Sequence, residues 1–108
     1  MPQLTIRGIQ PELVSQVSKI LIPELAEILA TTCDNFTIDI ISTTSFYLGR
    51  TVETFPFIEI GWFDRGQEIQ DATASLVDKA FKQVGVPSLE IVFTIFNRTA
   101  YYADGQHY

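Results

Sequence analysis

The chain has 108 residues, a formal charge of -6 and a single cysteine. That is the size of one domain, spanning 1–108, able to bury roughly 60% or more of its extended surface in one core; no apolar run approaches the roughly 18 residues of a membrane helix. The acidic balance argues against nucleic acid, whose phosphates require Lys and Arg, and with no second Cys and no His cluster neither a metal nor a cofactor is expected.

No basic segment followed by an apolar one precedes Leu4, so no export signal is expected and the cytoplasm is the expected location. Cys33 is expected to be a small buried apolar residue. His107 is expected to be solvated.

Pro2 to Arg7 alternates Leu4 and Ile6 against Gln3, Thr5 and Arg7, the pattern of a half-buried strand. Gln10-Pro11-Glu12 opens a helix whose apolar stripe is Val14, Val17, Leu21, Leu25 and Ile28. Pro23 interrupts that stripe without changing its phase, which predicts one kinked helix running to about Thr32. Phe36 to Thr44 is expected to form a second strand, and Ser45 to Thr54 a connection with room for a short bridge.

Phe55 to Phe63 forms the third expected strand, with Ile58, Ile60 and Trp62 on one face and Phe57, Glu59 and Gly61 on the other. Asp64-Arg65-Gly66-Gln67 has the spacing of a capping box. The helix it predicts buries Ile69, Ala72, Leu76, Ala80 and Phe81 and stops at Gly85. Leu89 to Phe96 is a fourth strand, and Asp104-Gly105 marks a tight hairpin within Tyr101 to Tyr108.

Pro2, Leu4 and Ile6 are echoed by Pro56, Ile58 and Ile60 at a shift of 54. The fold class is therefore α+β: two tandem β-α-β units with right-handed crossovers, giving a two-layer sandwich. Its four-stranded mixed sheet carries both helices on one face, with a C-terminal hairpin added. The uncovered face should hold Thr5, Arg7, Asp39, Glu59 and Glu90 beside Ile41, Phe57, Val92 and Phe96, with Arg7 paired to Glu59 or Asp39. A face so mixed, with open edges, suggests covering by further copies of the same chain.

Pro2 heading the first strand, the repeated units and the hairpin together resemble the tautomerase superfamily, which includes 4-oxalocrotonate tautomerase and macrophage migration inhibitory factor. Met1-Pro2-Gln3-Leu4-Thr5-Ile6-Arg7-Gly8, Phe55-Pro56-Phe57-Ile58-Glu59, Trp62-Phe63-Asp64-Arg65-Gly66-Gln67 and the Tyr-rich tail resemble, more closely, a small bacterial family within it that has no assigned function. The resemblance implies a homotrimer, with three sheets facing a central channel and terminal strands crossing to neighbours. It also implies an activity: after removal of Met1, Pro2 becomes a secondary amine and serves as general base for keto–enol proton transfer on a small oxo acid.

A terminal amine titrates near neutral pH, and apolar surroundings lower its pKa, leaving more free base at pH 7. The developing enolate then needs a donor or cation. The topology brings the end of the third strand and the end of the fourth to Pro2, so Arg65 and Arg98 are the candidate cations. Trp62 and Tyr101 or Tyr102 are the candidate pocket wall, with Tyr101 the alternative proton donor. Arg7 lies roughly 17 Å along the strand, at about 3.3 Å per residue, and cannot assist Pro2 within one subunit.

Each candidate also has a plainer reading: Pro2 as the start of an edge strand, Arg65 solvated after a helix cap, Trp62 as core. The cytokine-like members carry a lysine where this chain has Thr32-Cys33-Asp34, and the oxalocrotonate-type members carry an arginine where it has Ile38 or Asp39. Those differences motivate the alternative function, a non-catalytic homotrimeric scaffold or binding protein that retains the fold.

Overall fold

The protein is described by a computed structural model, covering residues 2–108. The chain runs β1 (Gln3–Arg7), α1 (Pro11–Ile28), β2 (Thr37–Ile40), β3 (Ser45–Tyr47), β4 (Arg50–Val52), β5 (Phe57–Trp62), α2 (Gln67–Gln83), β6 (Glu90–Ile95), β7 (Tyr102–Ala103) and β8 (Gln106–His107). Strand order in the main sheet is β2-β1-β5-β6, with parallel outer pairs and an antiparallel centre. The two units repeat down to single hydrogen bonds: Thr37 N donates to Pro2 O at 3.3 Å, and Glu90 N donates to Pro56 O at 3.1 Å.

Leu4, Ile6, Ile58, Ile60 and Trp62 point from the sheet into one core, against Val14, Val17, Leu21 and Leu25 of α1 and Val77 and Phe81 of α2. Each such side chain contributes roughly 1.5–3 kcal/mol by leaving water. The helix phases differ in part from the sequence pattern. Ala26 and Leu29 are buried where Ile28 was expected, and Thr73 and Val77 where Ile69 and Ala72 were. Thr73 tolerates burial because its hydroxyl donates to Ile69 O at 2.9 Å.

Helix α1 continues through Pro23 and ends at Ile28, short of Thr32. Its end is a Schellman turn: Ala30 N donates to Glu27 O and Thr31 N to Ala26 O, with Ala30 in the left-handed region at φ 52. Helix α2 ends the same way, with Gly85 at φ 97 in the matching place. The capping box does not form. Gly66 takes the cap position at φ 88 with no side-chain bond, Asp64 Oδ1 accepts from Gly66 N at 2.9 Å, and Gln67 Nε2 donates forward to Asp71 at 2.8 Å.

Two further expectations are corrected at the sheet's edge. The second strand stops at Ile40, and the following connection is a full hairpin, β3–β4, turning at Leu48 and Gly49. Cys33 is exposed in a single 3-10 turn, Cys33–Asn35, while Phe36 takes the buried place beside it. On the open face Arg7 makes no ion pair with Glu59 or Asp39 among the described residues. Its guanidinium lies 4.8 Å from the Phe57 ring, and Glu59 accepts instead from Thr94 Oγ1 at 2.8 Å.

Candidate functional site

Pro2 is buried to below 2% exposure at the head of β1. Gln3 is in register with Gly61, so continuing the antiparallel ladder by one step sets Pro2 across from Trp62. Pro2 and Trp62 share the helix-facing side of the sheet, in phase with Leu4 and Ile60. Met1, on whose removal the amine depends, lies outside the described residues.

Trp62 is completely buried, its ring 4.8 Å from Phe93, which makes it core before it is pocket wall. Arg65, half-buried just beyond the strand, carries its guanidinium 5.8 Å from the Trp62 ring. Two polar atoms here, Trp62 Nε1 and Arg65 Nε, are buried without a hydrogen-bond partner among the described residues.

Arg98 and Tyr101 belong to a different cluster. The absent side chain of Gly61 leaves room for Phe96, since a Cβ there would sit 2.3 Å from Phe96 Cζ. Phe96 thus lies on the open face, and Phe63, Tyr101 and Tyr108 stack around it with ring centroids 5.1 to 6.2 Å apart. Arg98 caps the cluster with its guanidinium 4.4 Å from the Phe63 ring. Tyr108 N donates to Arg98 O and Tyr101 O, which holds the tail closed. The sequence candidates therefore divide into two groups, Pro2, Trp62 and Arg65 on one side of the sheet and Arg98 with Tyr101 on the other.

Gln3 joins the two groups. It follows Pro2 directly, points to the open face, and its Nε2 donates to the Tyr101 hydroxyl at 2.8 Å. The sequence reading missed Gln3, Phe63 and Phe96 as parts of this region. The signal for Gln3 was its phase, a polar residue beside the candidate base in a strand whose alternate residues are apolar. Arg7 stands at the opposite end of β1, on a concavity of about 730 Å³ that it lines with Tyr47, Phe55, Phe57 and Glu90. No group of His, Cys, Asp or Glu suited to a metal occurs among the described residues. Nor is any helix there long and apolar enough to cross a membrane.

Two β-α-β units related by an antiparallel centre make up the fold. It is shared with a macrophage migration inhibitory factor-like protein from Entamoeba histolytica (15% identity, 99% of this chain and 98% of that chain, TM-score 0.71). A fused 4-OT whose structure is an asymmetric trimer shares it too (13% identity, 97% and 94%, TM-score 0.75). Within that fold the chain belongs to the DUF1904 family, a domain of unknown function matched over residues 1–107. A DUF1904 protein from Sebaldella termitidis is 34% identical over 100% of both chains, with a TM-score of 0.91. No curated protein matches the chain.

Proposed function

We propose that Pro2, freed by removal of Met1, is the general base of a tautomerase acting on a small oxo acid. The observation that carries this reading is the burial of Pro2 at the head of β1, across from Trp62, in the fold of a tautomerase superfamily. The free amine takes the enol hydroxyl proton, the enolate that forms is held by Arg65, and the ammonium returns the proton to the neighbouring carbon. Nothing is oxidised or reduced. A dry setting keeps the amine in its free-base form and strengthens the Arg65–enolate attraction. Arg98 and Tyr101 act from the open face, through the Gln3–Tyr101 bond that braces the residue following Pro2.

The same reading makes the protein a cytoplasmic homotrimer. Its support is the trimeric fused 4-OT together with the exposed β3–β4 hairpin, where Phe46, Tyr47 and Leu48 stand 69%, 67% and 86% exposed. Apolar residues so placed at a hairpin tip favour a partner surface. The exposed hairpin equally favours a second reading, a homotrimer that assembles without catalysis.

Ultraviolet absorbance of the enol of a small 2-oxo acid, followed over pH, separates the two. Turnover is expected to rise with pH as the amine loses its proton, and Pro2→Ala, which leaves a primary terminal amine of different pKa, is expected to shift that acid limb and lower turnover. An intact mass retaining Met1 in the native cell, or a Pro2→Ala variant with unchanged turnover, overturns the catalytic reading in favour of the second.

A further inference from the structure

Buried N–H groups are almost always paired, so two orphans on neighbouring side chains call for an explanation. Trp62 Nε1 and Arg65 Nε are both donors, both inaccessible, and both without a partner among the described residues. They belong to neighbouring groups, with the guanidinium carbon 5.8 Å from the indole ring. A buried tryptophan normally finds an acceptor for its N–H. Leaving either group unmatched is destabilising, and more so for the charged one. Within the described residues neither Asp64 nor Gln67 serves them: Asp64 accepts from Gly66 N, and Gln67 is bonded to Asp71.

We propose that the Trp62 indole N–H and the Arg65 guanidinium form a paired-donor subsite for one anionic oxygen of the ligand, reached when the Arg65 side chain swings off the indole. Two donors on groups in contact, neither with an acceptor among the described residues, fit an atom that only accepts, which a carboxylate or enolate oxygen is. The positive charge on Arg65 favours the anion over a neutral carbonyl. The subsite deepens the reading of Pro2 and rests on it for turnover, though not for binding. It assigns Trp62 a polar task, where position and burial alone make it a core residue.

The chain has one tryptophan, so its indole Nε1–H gives one NMR resonance with no assignment ambiguity. Oxalate, a planar dianion resembling the enolate of a 2-oxo acid, is the probe, and neutral oxamide is the control. Titration of the full chain with oxalate is expected to move the indole proton downfield, and oxamide is expected to leave it in place. Arg65→Gln and Trp62→Phe are each expected to weaken oxalate binding roughly 10- to 100-fold, as for hydrogen bonds to a charged group. If Trp62→Phe does not fold, the wild-type titration and Arg65→Gln decide the matter.

Absence of oxalate binding, binding without movement of the indole proton, or equal movement with oxamide overturns the subsite. So does a fixed close contact between that proton and water that persists at saturating oxalate, since a structural water then explains the orphans. Pro2→Ala separates this inference from the catalytic reading. Retained indole response with lost turnover supports both, whereas retained response with full turnover sustains the subsite and removes Pro2 as the base.

Discussion

The two halves of this molecule have nearly the same backbone and behave differently. Each opens with a proline whose carbonyl receives a bond from the parallel neighbour, at 3.3 Å for Pro2 and 3.1 Å for Pro56. Both continue into a strand, a helix closed by a Schellman turn and a second strand, then a hairpin with two left-handed residues. Those residues are Leu48 and Gly49 at φ 48 and 80 in the first half, and Asp104 and Gly105 at φ 51 and 83 in the second. The second hairpin belongs to a tail folded onto Phe63 and Phe96, whereas the first projects with its apolar tip uncovered. One step in the repeat accounts for much of this. Where the second half has Gly61 under Phe96, the first has Arg7 and Ser42, and no aromatic ring draws its hairpin down. Equal topology thus yields one hairpin packed onto the protomer and one whose apolar tip stays exposed.

The comparison is most severely tested at the two prolines. Pro2→Ala is expected to lower kcat/KM for enol ketonisation by about 10²–10⁴-fold, the usual worth of a general base. Pro56→Ala, which changes only an amide, should leave kcat/KM within about threefold and cost about 0.4–1 kcal/mol through the unfolded chain. Equal losses at both positions would reduce Pro2 to a strand-starting residue.

The hairpins come next. Phe46→Asp combined with Leu48→Asn is expected to convert the proposed homotrimer to monomer by sedimentation while the monomer's circular dichroism is kept. The Asn relieves a bulky residue held at positive φ, a strain of about 1–2 kcal/mol. Tyr108→Ala in the second half should lower thermal stability and leave the assembled mass unchanged. An assembled double variant would reassign the first hairpin to the protomer itself.

Smaller effects follow at the step where the halves diverge. Gly61→Ala forces Phe96 aside and is expected to cost about 1–3 kcal/mol, a fall in Tm of about 4–8 °C per kcal/mol for a domain this size. The Schellman residues give the smallest and most symmetrical test. Ala30→Gly is expected to stabilise by roughly 0.5–1 kcal/mol in denaturant melts and Gly85→Ala to destabilise by about the same, because both positions require positive φ. Like signs for the two would show that the turns are not equivalent.

Those turns also show what could be read from the chain in advance. Gly85 announced its helix end because glycine is the usual residue in a left-handed cap. Ala30 makes the same turn without that signature, so α1 ended four residues before the apolar pattern suggested. The Asp104-Gly105 hairpin was legible for the same reason, while Leu48-Gly49 hid its twin behind a leucine. Thr73 was missed as core because its burial depends on a bond to Ile69 O that hydropathy does not register. At the candidate site, Pro2, Trp62, Arg65, Arg98 and Tyr101 were named from strand ends. Their division between the two sides of the sheet, and the bridging role of Gln3, follow from side-chain phase beyond the strand termini.

Local chemistry therefore determined the elements of this protein by itself: alternating apolar residues, a proline at a helix start, an Asp-Gly turn and the echo of one unit in the next are properties of short segments. Tertiary structure alone decided which hairpin packs home, which guanidinium lies over which ring and which donors are left unpaired. Those outcomes depend on groups far apart in the chain, such as Gly61 and Phe96 or Gln3 and Tyr101, being brought within a few ångströms. Single-residue spacing carries no information about such meetings.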